Sequence, residues 1–298
     1  MNNIGDHDVH EKSFANFLSS MASERHYAFT VGNVLFLALN AFDLPEPGSF
    51  AVLPEQMQWI EQQLEAATKK DQSKVLLLHC YPSDLKVGGG ELTELIKKRN
   101  VQLIDMGHTH YNKVANDGRI IYTATRSTGQ IEEGLVGFSI TNMDDGVISW
   151  RFLELGSLPT LMITAPSDEP LMTEANRQES ATRDNLRVHA KFWGESKVRH
   201  VQASFEQQNV ELQQVSGSQV WEAGVATGDI PDGIYPLRVW AEDIDGKMAE
   251  DAIRVLVGNA APALKKRLSR DQDNTVQVWP EHGLLGTQLG PNKNGKKW

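Results

Sequence analysis

Apolar and polar positions change rhythm about half-way along this chain. The first half alternates short apolar runs with one helix-like stripe. Residues 27–31 and 33–40, the second reading NVLFLALN, predict two strands turned at Gly32. After the Pro45, Pro47 and Gly48 loop, Met57, Ile60, Leu64 and Ala67 recur at helical spacing behind Leu53-Pro54-Glu55-Gln56. Residues 74–79 and 101–106 predict buried strands, separated by the Gly88-Gly89-Gly90 turn and a short helix over 91–99. Two hairpins follow, turned at Asn116-Asp117-Gly118 and at Asp144-Asp145-Gly146.

From about Leu158 the pattern becomes short alternating segments between prolines and polar clusters, with no helix stripe. These segments, and the 233–243 and 251–257 pair, predict an immunoglobulin-like β-sandwich. Trp193, Trp221 and Trp240 are expected in its core. The predicted fold is therefore a layered α/β unit followed by an all-β unit. The boundaries read from the sequence are 1–157, 158–258 and a C-terminal extension over 259–298, expected to pack on the body.

Composition narrows the function classes. The 298 residues suit about two domains, and no apolar run is long enough to span a membrane. The lone Cys80 excludes an internal disulfide and any multi-cysteine zinc site, so bound metal must rest on histidines and carboxylates. The net charge of −10 argues against broad nucleic-acid binding. The tail reverses that sign: residues 259–298 hold seven basic and three acidic side chains, a net of +4, which leaves −14 for the rest. An anionic substrate would therefore need a local positive centre. Residues 1–14 show no signal peptide, which slightly favours the cytoplasm; an upstream signal sequence would instead direct the chain to the periplasm or outside.

The sharpest chemistry sits where apolar strands end. His79 closes one run, and His108 with His110 follow another in Gly107-His108-Thr109-His110. Imidazoles at the carboxyl ends of neighbouring strands can converge on a first-row metal, with Asp6 or Asp8 completing the shell. With 24 glycines and 9 histidines in 298 residues, Gly-His-x-His is expected by chance roughly 0.02 times.

Taken in order, Gly5-Asp6-His7-Asp8, Leu53-Pro54-Glu55-Gln56 with Trp59, His79-x-x-Pro82 and Gly107-His108-Thr109-His110 resemble the calcineurin-like metallophosphoesterases. Within these, the bacterial cyclic-nucleotide phosphodiesterase-like group matches best, over roughly residues 1–155. The resemblance implies a calcineurin-like α/β sandwich and two divalent cations, Mn, Fe or Zn, about 3.5–4 Å apart. It also implies hydrolysis of a phosphoester, most plausibly a phosphodiester, by metal-bound hydroxide. Asp6 would stand where the family uses Asn as a ligand of the second metal, joined by His79 and His108; His110 would serve the first metal. His7 would stabilise the phosphoryl transition state or protonate the leaving group. The family's Asp-x-His and Gly-Asp-x-x-Asp motifs would lie upstream of residue 1, so the sequence reads as an N-terminally incomplete domain.

Two other readings stand beside this one. One is a binding module or inactive remnant that recognises its partner through the sandwich. The other is a mononuclear zinc hydrolase built on Asp6, His79, His108 and His110. Arg126, after a strand, is either a phosphate contact or a loop ion pair. Cys80, His10, His26, His189, His200 and His282 are expected to be structural or solvated.

Overall fold

The computed structural model describes residues 3–5, 8, 13–21, 24–43, 50–108, 110, 112–126, 135–176, 184–258, 274 and 276–278. These are mostly β-strand with few helices. They fall into two compact units, one up to Val136 and one spanning Gly137–Val278.

In the first unit, after the short helix α1 (Ala15–Ser20), strands β1 (Tyr27–Val31) and β2 (Val34–Ala38) form the expected hairpin. Gly32 supplies the positive φ of 57° that its turn needs. β3 (Ser73–Leu78), β4 (Leu103–Met106) and β6 (Ile121–Ala124) continue the sheet in parallel from β2. β5 (Lys113–Asn116) pairs antiparallel with β6 about Asp117-Gly118. The spatial order is β1-β2-β3-β4-β6-β5. Parallel neighbours need crossovers: a helix supplies each of those from β2 to β3 and from β3 to β4, and β5 lies in the one from β4 to β6.

Helix α2 (Pro54–Lys69) begins with proline at a position where its missing N–H costs nothing. Its buried face is Gln56, Ile60, Leu64 and Ala67. The expected stripe placed Met57 there, but Met57 is only partly buried against the core, and the polar Gln56 takes the inner position. Helix α3 (Gly89–Lys98) starts two residues before its expected beginning. Gly88 caps it with a φ of 81°, and a Cβ on Gly89 would meet the Pro82 carbonyl oxygen at 2.6 Å. Leu92, Leu95 and Ile96 join Leu37, Leu76, Ile104 and Tyr122 in one core, so one sheet face carries the apolar sides of both helices.

The second unit begins with the hairpin β7 (Gly137–Asp144) and β8 (Val147–Glu154). Sequence pattern assigned this hairpin to the first domain; the structure groups it with the second unit. The reason is side-chain chemistry. Arg151 donates to the Leu161 carbonyl at 2.7 Å, and His189 meets Asp144 at 2.6 Å.

The remaining strands are β9 (Thr160–Ala165), β10 (Asn185–Trp193), β11 (Val198–Phe205), β12 (Gln208–Gln214), β13 (Val220–Ala226), β14 (Gly233–Asp243) and β15 (Met248–Val257). They pair antiparallel in the order β15-β14-β11-β12-β13-β10-β9. The ends of this order meet, because the Ile163 N–H donates to Asp251 on β15 at 2.9 Å. The sheet therefore rolls around one interior of Val188, Val201, Phe205, Leu237, Val239 and Val255. Trp221 packs against that interior as expected. Trp240 does not: its neighbours Val239 and Ala241 point inward, and it lies half-buried against the His200 ring, 4.8 Å between centroids.

The C-terminal extension lies outside the described residues except Asn274 and the short strand β16 (Val276–Val278). Asn274 accepts the Phe152 N–H at 2.7 Å, which ties this segment to β8.

Candidate functional site

Leu78 of β3 and Met106 of β4 are in register, so both chains leave the sheet at one edge. That edge is the carboxyl end of the parallel strands, where loop residues can converge on a ligand. The Gly107 N–H donates to the His79 carbonyl at 3.1 Å and fastens the two exits together. His79 and His108 meet there, with ring centroids 5.2 Å apart and planes tilted by 59°.

Aromatic side chains complete the surroundings of this pair. Phe50 stands edge-on to His108 at 4.8 Å, and Phe42 lies 5.7 Å from His79. Such rings keep water from part of the imidazole surface and lower the local dielectric. His108 and His110 hold left-handed backbone, with φ of 63° and 59°. Non-glycine residues pay of order 1–3 kcal/mol for such conformations, which cluster at ligand sites.

A polar clamp positions the loop that carries Phe42, and the hydrophobic pattern gives no warning of it. Gln56 on α2 accepts the Asn40 N–H at 2.9 Å and donates to the Asn40 carbonyl at 2.8 Å and to Asp43 at 2.9 Å. Asn40 is fully buried; its side chain accepts the Phe42 N–H and donates to Asp43 at 2.7 Å. Asp43 in turn accepts the Leu53 N–H at 2.9 Å. The loop carrying Phe42 is thereby hung from the first turn of α2. Trp59, noted beside the helix stripe, meets the His26 ring at 4.7 Å with the planes tilted by 59°, and burial lowers the pKa of that imidazole.

The N-terminal segment reaches the same edge. Ile4 is buried in the first unit's core, and a Cβ on Gly5 would stand 3.2 Å from the His79 ring. Glycine at position 5 is therefore what lets the backbone pass that close. Asp8 accepts the Gly5 N–H at 2.9 Å. Asp6 and His7, the expected ligand and catalytic group between them, lie outside the described residues.

The His79–His108 centroid separation is a distance common to ordinary ring contacts and to two imidazoles on one ion. Two imidazoles on one tetrahedral ion, with metal–nitrogen bonds of about 2.0–2.1 Å, have ring centroids roughly 5 Å apart. The observed separation matches. His110 follows on the same loop, half-buried. Among the described residues, no three His, Cys, Asp or Glu side chains gather closely enough to hold an ion, so His110 does not complete a three-ligand group with the pair. The mononuclear reading on Asp6, His79, His108 and His110 also needs Asp6, which lies outside the described residues.

Neighbouring titratable groups are structural. Cys80 is buried, as expected of a core thiol. Burial pushes the Tyr81 phenol well above its ordinary range. Burial also raises the Asp105 carboxyl, against the opposing effect of Thr123, which donates to it at 2.6 Å. His189 meets Asp144 in the second unit, while His10 and His282 lie outside the described residues.

No protein-family description matches this sequence, and no curated protein matches it either. Solved structures give remote likenesses. An endo-β-1,4-mannanase from Thermotoga petrophila is 12% identical with a TM-score of 0.30, over 68% of this chain and 43% of that one. The Clostridium thermocellum CbhA fibronectin(III)-like modules are 16% identical with a TM-score of 0.25, over 34% and 99%. A Cellulomonas fimi endo-β-1,4-mannanase double mutant is 12% identical with a TM-score of 0.24, over 76% and 48%. The chain thus spans less than half of either mannanase, and at such scores the likenesses carry no argument about fold or activity.

Proposed function

We propose that this protein is a metal-dependent phosphoesterase of the calcineurin-like kind, acting on phosphodiesters, with its metal site at the carboxyl edge of β3 and β4. The observation that carries this reading is the contact of His79 with His108, 5.2 Å between centroids, at the exits of adjacent parallel strands. In this reading the first unit is the catalytic layer and the second an immunoglobulin-like sandwich.

A divalent cation, Mn, Fe or Zn, would supply charge stabilisation for phosphoryl oxygens and a more acidic bound water. The chain's own residues do the rest. His79 and His108 offer imidazole nitrogens, and Phe42 and Phe50 flank their rings. Gln56 holds the loop that carries Phe42. The family resemblance gives Asp6 the further oxygen ligand and His7 the proton for the leaving oxygen, and Gly5 beside His79 is consistent with both.

The test is Mn²⁺ binding by metal-stripped protein, followed by hydrolysis of an aryl phosphodiester. His108→Ala and His79→Ala are expected to weaken Mn²⁺ binding by about 100-fold or more and to abolish turnover. Undiminished turnover in His108→Ala would refute the site. Metal binding without turnover would instead favour a binding module.

A further inference from the structure

The first unit's sheet ends at β1, and among the described residues no strand pairs with its outer side. Such an edge offers a row of backbone donors and acceptors to another chain, and proteins commonly guard it with charge, proline or a bulge. β1 reads Tyr27-Ala28-Phe29-Thr30-Val31 and carries none of these guards. It has no charge and no proline, and it pairs with β2 from Tyr27 to Val31 without a shift of register. Ala28, Thr30 and Val31 are exposed, Val31 by 62%.

The hairpin decides which backbone groups face outward. The turn at Gly32-Asn33 closes on the pair of Val31 with Val34, so Val31, Phe29 and Tyr27 exchange bonds with β2. The N–H and carbonyl groups of Ala28 and Thr30 therefore point away from β2, toward any strand added at the edge.

A second copy of this strand matches those groups. Turned antiparallel about Phe29, two β1 strands set Ala28 against Thr30 of the second copy on both sides of the axis, where they exchange backbone bonds. Phe29 then faces its own counterpart in a non-bonded pair, where side chains stand closest, and Tyr27 faces Val31 of the second copy. Phe29 already lies on Phe36, with centroids 4.8 Å apart and planes within 3°, and Tyr27 stands 6.1 Å from Phe29. The aromatic row thus continues from one sheet into the other. Charge favours the same occupant: pairing an edge with itself brings like charges together, and β1 has none to bring. Arg25, just before the strand, falls opposite the neutral Asn33 of the second copy.

We infer that β1 joins β1 of a second copy, making one continuous sheet through an isologous dimer. A five-residue edge buries less than the roughly 1,000 Å² of a stable interface, so this dimer is weak and depends on concentration.

Sedimentation of the full-length chain from about 5 to about 500 µM should show monomer passing into dimer. Thr30→Pro removes an N–H that β2 does not use. The double substitution Ala28→Lys with Thr30→Lys sets like charges opposite each other at exposed positions, and it decides the matter if Thr30→Pro does not fold. Each should weaken dimerisation by about 10-fold or more, with melting curves confirming the fold. Ala28→Glu with Thr30→Lys sets opposite charges across the axis and should restore the dimer. A wild-type chain that stays monomeric at about 500 µM would overturn the inference, as would a dimer that persists at wild-type affinity in the folded lysine variant. Failure of the Glu and Lys combination to dimerise would overturn the pairing about Phe29.

Discussion

The two units hold similar side chains in different employment. In the second unit, histidine and carboxylates join strands: Asp144 meets His189 at 2.6 Å, Asp251 accepts the Ile163 N–H, and Asp168 accepts the Arg254 N–H. In the first unit, His79 and His108 stand beside each other at strand exits, with aromatic rings around them. Antiparallel strands return through short turns, so their polar side chains stitch neighbours across the sheet. Parallel strands all exit at one edge, and their loop residues collect there. Residue type alone does not separate a side chain that stitches strands from one that gathers at a strand exit; the direction of the strands does.

The sharpest way to break this contrast is to exchange histidines between roles. His189→Ala should cost about 2–3 kcal/mol of stability, since it takes away the short partner of Asp144 and leaves, among the described residues, only the Thr164 hydroxyl at 3.4 Å, yet Mn²⁺ affinity should stay at the wild-type level. His108→Ala should do the reverse, with metal affinity lost and stability changed far less. Urea denaturation and metal titration on both variants decide it; metal loss in His189→Ala would erase the distinction.

A smaller effect tests how the first unit holds its edge. Gln56→Ala removes the partners of the buried Asn40 N–H and carbonyl and should destabilise by about 2 kcal/mol. Because the loop carrying Phe42 is then loosened, Mn²⁺ affinity should also drop, but by less than in His108→Ala. Full stability with unchanged metal affinity would show that the clamp does not support the site.

The smallest effect is a pH dependence confined to the second unit. Hydrogen bonding from His189 holds the Asp144 carboxyl below its ordinary value of 3.8, against the opposing cost of burial. The stabilisation this gives is complete above about 3.8 and disappears as pH falls through the lower folded value. Wild type should therefore lose an increment of stability on acidification that Asp144→Asn lacks. Melting curves from about pH 6 down to about pH 3 would reveal it, and parallel curves for the two proteins would contradict it.

Much of this architecture was legible in advance, and the failures have physical causes. Apolar runs at 33–40, 74–79 and 101–106 marked the parallel strands because strands buried on both faces carry few polar residues. The hairpin at Gly137 groups with the second unit, whereas the sequence boundary at 157 puts it with the first, because a two-stranded ribbon reads the same wherever it packs. Asp144, Arg151 and Phe152 decide its place through partners at positions 189, 161 and 274. Gln56 escaped notice because polarity masked its spacing of four residues from Ile60. Trp240 lies off the core that its strand pattern predicts, because periodicity marks alternation without naming which face turns inward.

The sequence by itself determined the strand and helix segments, the turns at Gly32 and Asp117-Gly118, and the histidines at strand ends, because these follow from local apolar periodicity and backbone preference. Only the tertiary structure decided that His79 touches His108, that Gly5 passes beside His79, and that β1 ends its sheet. Those facts depend on which strands lie side by side and in what register, which is settled by packing between residues far apart in the chain.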